Sequence, residues 1–360
     1  NPENSNRSYH TTSYISAPPH CASAMASFSW ARVVAKGGAL VGGASLLGLV
    51  GSTVYTVKLI NFQRSRYWSD SFTMTPEALR MPFERVTFHT EDGVSLSGWF
   101  VRQTHRGVPS KRLVVCCNPY NHDRSTMLGI CRGLWEASYS VLLFNFRSHA
   151  DEPTRQTIGH LEVHDVRAAL NWVRAHKPEA AKIGFLGASM GGAMTLVMAE
   201  ENRDIVACAT DCAFTTLYDV ISHRIELEMP FLFRGRPVFR EYFMQLINFS
   251  NQMWYHYDLR KVGPGAVMDN GESQLKNVHC PLLIVHSKND SVVPVSCAGD
   301  IYDLTSTPES EKEIVILQDV EHIGSYFQDE YRYVKRFVRF FDEKFERVEL
   351  GDGESVVEDA

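Results

Sequence analysis

The apolar residues of this chain fall into short runs that alternate with segments of helical spacing. "FERVTFHT" and "VSLSGWFV" are strand-like, and "EDG" between them is a hairpin signal. "RLVVCC", "SVLLFNF", "KIGFLG" and "IVACAT" are further short apolar runs, and "PLLIVHS" and "EIVILQ" read as buried strands. "MLGICRGLWEAS" has helical spacing. "EVHDVRAALNWVRAH" sets Val163, Val166, Leu170 and Val173 on one face, with Ala169 beside them. Another helix pattern follows Ser189. The last, "DEYRYVKRFVRFFDEKF", is predicted to bury Tyr333, Val334, Phe337, Val338 and Phe341 and to leave its Lys and Arg residues solvated. Strands alternating with helices predict an α/β fold, a mostly parallel sheet covered on both faces. The rhythm breaks from about Ile221 to Gly271. That stretch carries Phe231, Phe233, Phe239, Tyr242, Phe243, Phe249, Trp254, Tyr255 and Tyr257, and reads as a small helical cap inserted over the end of the sheet.

The N-terminal part follows a different pattern. No residue from Gly37 to Val57 is charged, and Lys36 and Lys58 bound the run. A helix of that length spans about 30 Å, the hydrocarbon thickness of a bilayer. Residues 37–58 are therefore expected to form a transmembrane helix and to make the lipid bilayer a partner. A signal-peptide core or an organelle-targeting segment is the alternative. Basic residues flank both ends (Arg32 and Lys36; Lys58, Arg64 and Arg66), so the positive-inside count selects no orientation. Residues 1–36, short in large apolar groups, are expected to be disordered. Residues 59–82 are expected to form a juxtamembrane linker with a short helix at "TPEALR", Thr75 capping and Pro76 in its first position. The α/β domain is assigned to 83–347, and 348–360 to an acidic, solvated tail.

Composition narrows the function. The 360 residues have a formal net charge of -6 and no dense basic patch with interleaved aromatics, which argues against a nucleic-acid partner. Eight cysteines include no C-x-x-C pair, so no zinc or redox site is expected. Cys116, Cys117, Cys208 and Cys212 sit in or beside apolar runs, as buried thiols do.

The chemistry is concentrated in "KIGFLGASMGG". Here Ser189 stands where a buried strand turns sharply into a helix, between Gly187 and Gly191. Such a turn tolerates no bulk two residues before or after the serine, which gives the G-x-S-x-G pattern of a nucleophile elbow. A serine hydroxyl needs a base to take its proton during attack, and the base needs an acid to orient it. Both follow in the expected order, Asp290 after "PLLIVHS" and His322 after "EIVILQ". His322 is the expected general base. Asp211, after "IVACAT", is the alternative acid. His279 and His286 are poorly placed, before and within a strand. The oxyanion of the intermediate needs N–H donors. Met190 is expected to supply one, and Tyr120, the first residue with an N–H after Asn118-Pro119, the other.

From about Phe83 to Phe345 the chain resembles an α/β-hydrolase-fold serine hydrolase. It is most similar to the prolyl-oligopeptidase-like and serine-aminopeptidase-like branch, which includes membrane-anchored single-pass members. "GASMGG", "HSKNDSVVP", "EHIG" and "LFNFRSHADE" carry the resemblance. It implies an eight-stranded sheet, a triad of Ser189, Asp290 and His322, and no cofactor. The chain departs from the branch where Asn118-Pro119 replaces the frequent His-Gly of the oxyanion loop.

A triad of this kind transfers an acyl group to water from an ester, thioester or amide. The uncharged run and the aromatic cap point to a lipid-like or acylated substrate. A serine peptidase and a non-catalytic membrane scaffold are the alternatives, and the intact triad argues against the scaffold. The cysteines, expected to be unpaired, favour a cytosol-facing domain, with organelle targeting or secretion as the alternative. Asn248-Phe249-Ser250 and Asn289-Asp290-Ser291 are glycosylation acceptors that would report the opposite topology.

Overall fold

A computed structural model describes residues 51, 53–54, 56–58, 60–61, 74–150 and 154–354. Residues 53 onward form one compact unit. The predicted disordered segment and most of the predicted membrane span lie outside the described residues. Among the described residues no helix is long and apolar enough to cross a membrane. The described residues from 51 to 60 are helical, so helix continues past Lys58 into the stretch expected to be linker.

The domain opens with an antiparallel hairpin, β1 (Phe83–His89) and β2 (Ser95–Val101). A small two-stranded excursion follows, β3 (Thr104–His105) and β4 (Val108–Pro109). The remaining strands are β5 (Arg112–Cys117), β6 (Ser140–Phe144), β7 (Lys182–Ala188), β8 (Ile205–Asp211), β9 (Leu282–Ser287) and β10 (Lys312–Leu317). Eight strands form one sheet in the order β1-β2-β6-β5-β7-β8-β9-β10. The pairs β1–β2 and β2–β6 are antiparallel and all others parallel. The helices are α1 (Leu128–Glu136), α2 (Glu162–His176), α3 (Met190–Glu201), α4 (Leu217–Glu228), α5 (Pro230–Phe233), α6 (Pro237–Tyr255), α7 (Ser296–Leu304), α8 (Ser325–Gln328) and α9 (Glu330–Glu354).

The central strands are apolar throughout because helices bury both faces. Leu113, Val115 and Cys117 of β5 join Leu142, Phe144 and Phe185 in a core that includes Val166 and Val173 of α2 and Met194 of α3. Val114 and Cys116 point the other way, into a core with Val141, Leu143, Leu134 of α1 and Phe337, Phe341 and Phe345 of α9. Beside the first core, Arg147 of "LFNFRSHADE" donates to Asp165 (2.7 and 2.9 Å) and to Asp92 of the β1–β2 turn (2.7 Å). The pair with Asp165 is buried, and the pair with the partly exposed Asp92 holds the loop after β6 against the hairpin.

Four local expectations are corrected. The "TPEALR" turn is a 3-10 helix, Pro76–Leu79, and Thr75 makes no side-chain cap bond. β10 is a sheet edge, not a buried strand: Ile314 and Ile316 are exposed at 37 and 36 %, while Val315 and Leu317 pack inward. A uniformly apolar run concealed that alternation. On α9, Val334 and Val338 are only partly buried, while Phe340 and Phe345 join the core. The same helix runs to Glu354, beyond the predicted start of the acidic tail.

Between β8 and β9 the chain leaves the sheet as α4, α5 and α6. Buried positions on α6 recur at Phe243, Met244, Ile247, Asn248 and Asn251, the spacing of one helix face. Of the aromatics in this region Phe233, Phe243 and Tyr257 are buried, whereas Phe231, Phe239, Tyr242, Phe249 and Trp254 are exposed. Asn248 donates to Asp258 and accepts the Leu259 N–H, 2.9 and 2.8 Å. Its glycosylation acceptor is therefore closed in the folded domain.

Candidate active site

Ser189 sits between β7 and α3 with φ 53° and ψ -119°, a combination that costs a non-glycine residue on the order of 1–3 kcal/mol. The surroundings impose it. The Ser189 N–H donates to the Asp211 carbonyl at 2.8 Å, and its own carbonyl accepts from Ala193 at 3.0 Å. Both flanking glycines are obligatory for close approach. A Cβ on Gly187 would lie 2.3 Å from the Gly191 carbonyl oxygen, and one on Gly191 would lie 2.1 Å from that of Cys117. The second contact also docks the elbow on the loop after β5, which continues through Asn118, Pro119 and Tyr120.

The strand ends bring the remaining groups to Ser189. His322 follows β10, and its Nε2 lies 2.9 Å from Ser189 Oγ. Asp290 follows β9, and its Oδ2 lies 2.6 Å from His322 Nδ1. The other oxygen, Oδ1, accepts the N–H groups of Val292 and Val293, both at 2.8 Å. Burial pushes the Asp290 carboxyl up. The hydrogen bond and charge of His322, with the two N–H donors, outweigh burial and hold it below its ordinary value. The carboxylate is thus charged and fixed, and it selects the His322 tautomer with the proton on Nδ1. Nε2 is left free to accept from Ser189.

Asp211 is not the partner of His322. Its Oδ2 accepts from the Tyr333 hydroxyl at 3.0 Å, and Oδ1 has no partner. Burial pushes this carboxyl up to about 6, against the opposing bonds of Cys212 and Tyr333 and the charge of His322. What Asp211 gives the site is its backbone carbonyl, which holds the Ser189 N–H.

Met190 opens α3, so its N–H has no partner within the helix. Tyr120 lies half-buried on the loop beside the elbow and packs against the core. Asn118 is buried, and its side-chain amide donates to the His122 carbonyl at 2.6 Å, closing the loop on itself.

Other groups at the site left no mark in the sequence or, like His286, were set aside there as poorly placed. His223 and Arg224 of α4 donate to the backbone carbonyls of Asp290 (3.0 Å) and Ser291 (2.8 Å), tying the inserted helices to the acid loop. His286 is fully buried behind Asp290. Its Nε2 lies 3.3 Å from the Val293 carbonyl oxygen and 3.6 Å from Asp290 Oδ2. Burial lowers its pKa and outweighs the Asp290 charge, so the imidazole is neutral. Cys212, His286 and Asp290 bring ligand-type atoms within 4.8 Å of one another. Both Asp290 oxygens are already engaged by His322, Val292 and Val293.

Comparison with known proteins places the chain in a family and matches its fold. Residues 151–347 match the model of the prolyl oligopeptidase family. An uncharacterized protein of Mycobacterium tuberculosis is 25% identical over 282 residues, 77% of this chain and 86% of the relative. A thermostable monoacylglycerol lipase of a Bacillus species is 26% identical over 219 residues, covering 57% of this chain and 80% of the lipase. The solved structure of a Pyrococcus furiosus esterase has the same fold, with a TM-score of 0.60 and 21% identity, over 79% of this chain and 98% of the esterase. The eight-stranded sheet with its strained serine at the end of β7 is an α/β-hydrolase fold, and the chain belongs to the prolyl oligopeptidase family as a serine hydrolase.

Proposed function

We propose that the chain hydrolyses an acyl ester or thioester through an acyl-enzyme, with Ser189, His322 and Asp290 as the triad. The Ser189–His322–Asp290 relay, 2.9 and 2.6 Å between successive atoms, carries this reading. Ser189 Oγ attacks the acyl carbon as its proton passes to His322 Nε2. The oxyanion is held by the N–H groups of Met190 and Tyr120. His322 then gives the proton to the leaving alcohol or thiol, and the acyl group stays on Ser189. Water attacks that ester, loses its proton to His322, and releases the acid with Ser189 restored. Asp290 keeps the imidazole oriented and stabilises its charged form in both halves. The substrate is lipid-like or acylated. Support comes from the aromatic-rich insertion packed on the acid loop and from the likeness to a monoacylglycerol lipase.

The family match favours a second reading, a serine peptidase. A panel of p-nitrophenyl acyl esters of increasing chain length, run beside aminoacyl amides, decides between them. Faster turnover of the amides overturns the esterase reading. Ser189→Ala abolishes turnover and fluorophosphonate labelling in either case.

The same proposal places the enzyme in a membrane through a single span, residues 37–58, with the catalytic domain facing the cytosol. The uncharged run supports the span, and the free thiols support the topology. Release of the full-length chain by alkaline carbonate overturns the anchor. An endoglycosidase shift that disappears in Asn289→Gln overturns the topology, since Asn289 is exposed.

A further inference from the structure

The outer face of α6 is apolar where a soluble surface is polar. Val238, Tyr242, Phe249 and Met253 are 83, 69, 61 and 60 % exposed. Their spacing of four, seven and four residues keeps them on one stripe, opposite the buried Phe243, Ile247 and Asn251. Phe231 on α5, 63 % exposed, extends the patch.

We propose that this stripe is a docking face for the surface of a lipid bilayer, with α6 lying in the interface. Charge is the first observation favouring that occupant. From Met229 to Val262 the chain carries Arg234, Arg236, Arg240, Arg260 and Lys261 against Glu241 and Asp258, in a protein of net charge -6; Arg240 pairs with Glu226 of α4 and Arg260 with Glu241, so the basic rim rests on Arg234, Arg236 and Lys261. Arg234 and Arg236 are exposed at the start of α6, beside Val238. A basic rim around an apolar, aromatic helix face is the composition that binds anionic headgroups and buries side chains roughly 5–10 Å deep.

Chain connectivity is the second. The Asn61 amide donates to Asn251 Oδ1 at 2.8 Å, and its oxygen accepts from the Tyr257 hydroxyl at 2.9 Å. Asn61 is therefore pinned to α6, four residues beyond the end of the uncharged run Gly37–Val57. Thr53, Thr56 and Val57 at the end of that run are already buried in the compact unit, so a span as proposed above would leave the bilayer before them, with only a short length of chain between the bilayer and Asn61. The docking face thus deepens the proposed membrane location and rests in part on it.

The test uses the full-length chain in phosphatidylcholine–phosphatidylserine vesicles. Phe249→Trp adds one indole to the stripe, and its emission is the difference from the wild type. Brominated acyl chains are expected to quench that emission by about half, and aqueous iodide to leave it nearly unchanged. An indole open to iodide and untouched by bromine overturns the proposal. Shielding from iodide without bromine quenching also overturns it. In that case dependence on the protein-to-lipid ratio identifies a second copy as the cover, and independence identifies another segment of the same chain. A second measurement guards against an unrelated change in folding. The combined Val238→Ser, Phe249→Ser and Met253→Ser variant should lose about tenfold or more in turnover of a vesicle-borne long-chain ester. Its turnover of a soluble short-chain ester should stay unchanged, and equal turnover on both substrates counts against docking. Quenching that persists in an enzyme inactive on every ester leaves docking intact and sinks the ester-hydrolase reading instead.

Discussion

Asp290→Asn is the most informative single substitution, because the site dictates how the amide must sit. Val292 and Val293 both aim N–H groups at Oδ1, so that position has to remain an acceptor. The amide oxygen takes it, and the NH2 turns toward His322 Nδ1 at the place of the present 2.6 Å contact. A donor there inverts the tautomer: Nδ1 becomes the acceptor, the proton moves to Nε2, and His322 can no longer take the Ser189 proton. Escape by flipping the amide opposes an NH2 to two N–H groups. It forfeits two hydrogen bonds of about 1 kcal/mol each and leaves buried donors unsatisfied at about 1–3 kcal/mol each. Together these costs hold the productive arrangement some 4–8 kcal/mol out of reach, a fall in kcat of about 10^3 or more. The assay is kcat on a short-chain p-nitrophenyl ester, with circular dichroism to show that the fold is intact. Asp211→Asn is the control. It keeps an acceptor for Tyr333 and makes no contact with His322, so it should stay within about tenfold of wild type. A folded Asp290→Asn enzyme within tenfold of wild type, or a larger loss in Asp211→Asn, would refute this account of the acid.

Three further outcomes are expected. Ser189→Gly removes both nucleophile and strain, so the inactive protein should unfold about 1 kcal/mol later than wild type in a denaturant titration; equal or lower stability means the elbow is not strained. Gly191→Ala should lose fluorophosphonate labelling and more than about 3 kcal/mol, since its Cβ meets the Cys117 carbonyl; a labelled, stable variant contradicts the close approach. The Asp211 carboxyl, held at about 6 in the fold, lies above its unfolded value, so the folded state binds the extra proton and this group costs stability increasingly as pH rises through about 4 to 6. The stability of Asp211→Asn relative to wild type should therefore rise across that window by on the order of 2 kcal/mol, and a pH-independent difference would rule out the raised carboxyl.

Sequence and structure agree where the information is local. An apolar run, a knot of small residues and a helix pattern locate the elbow, because backbone sterics allow few residues there. Asp290 and His322 follow the last two strands in a fixed order, so their meeting with Ser189 was legible without knowing how the strands pair. Contacts between distant elements were not. His223 and Arg224 on α4 reach the acid loop across more than sixty intervening residues, and Tyr333 finds Asp211 from the final helix. Nothing in the spacing of those residues signals a partner. The exposure of β10 was hidden for a related reason, since an edge strand and a central one can have the same composition and differ only in their neighbours. The aromatic insertion was legible as a helical element, but its inner and outer faces separate only once α6 has a side against the domain.

The clamp from α4 to the acid loop sets a rule for how the inserted helices can move. Swinging α4 away from the sheet breaks the His223 bond to the Asp290 carbonyl and the Arg224 bond to the Ser291 carbonyl together. The acid loop then loses its outside support just as the insertion opens. Both acceptors are backbone carbonyls, so the clamp acts on the path of the loop and is indifferent to the side chains at 290 and 291. The Asp290 carboxylate keeps its own bonds to Val292 and Val293, so the path of the loop and the orientation of the carboxylate can be perturbed separately.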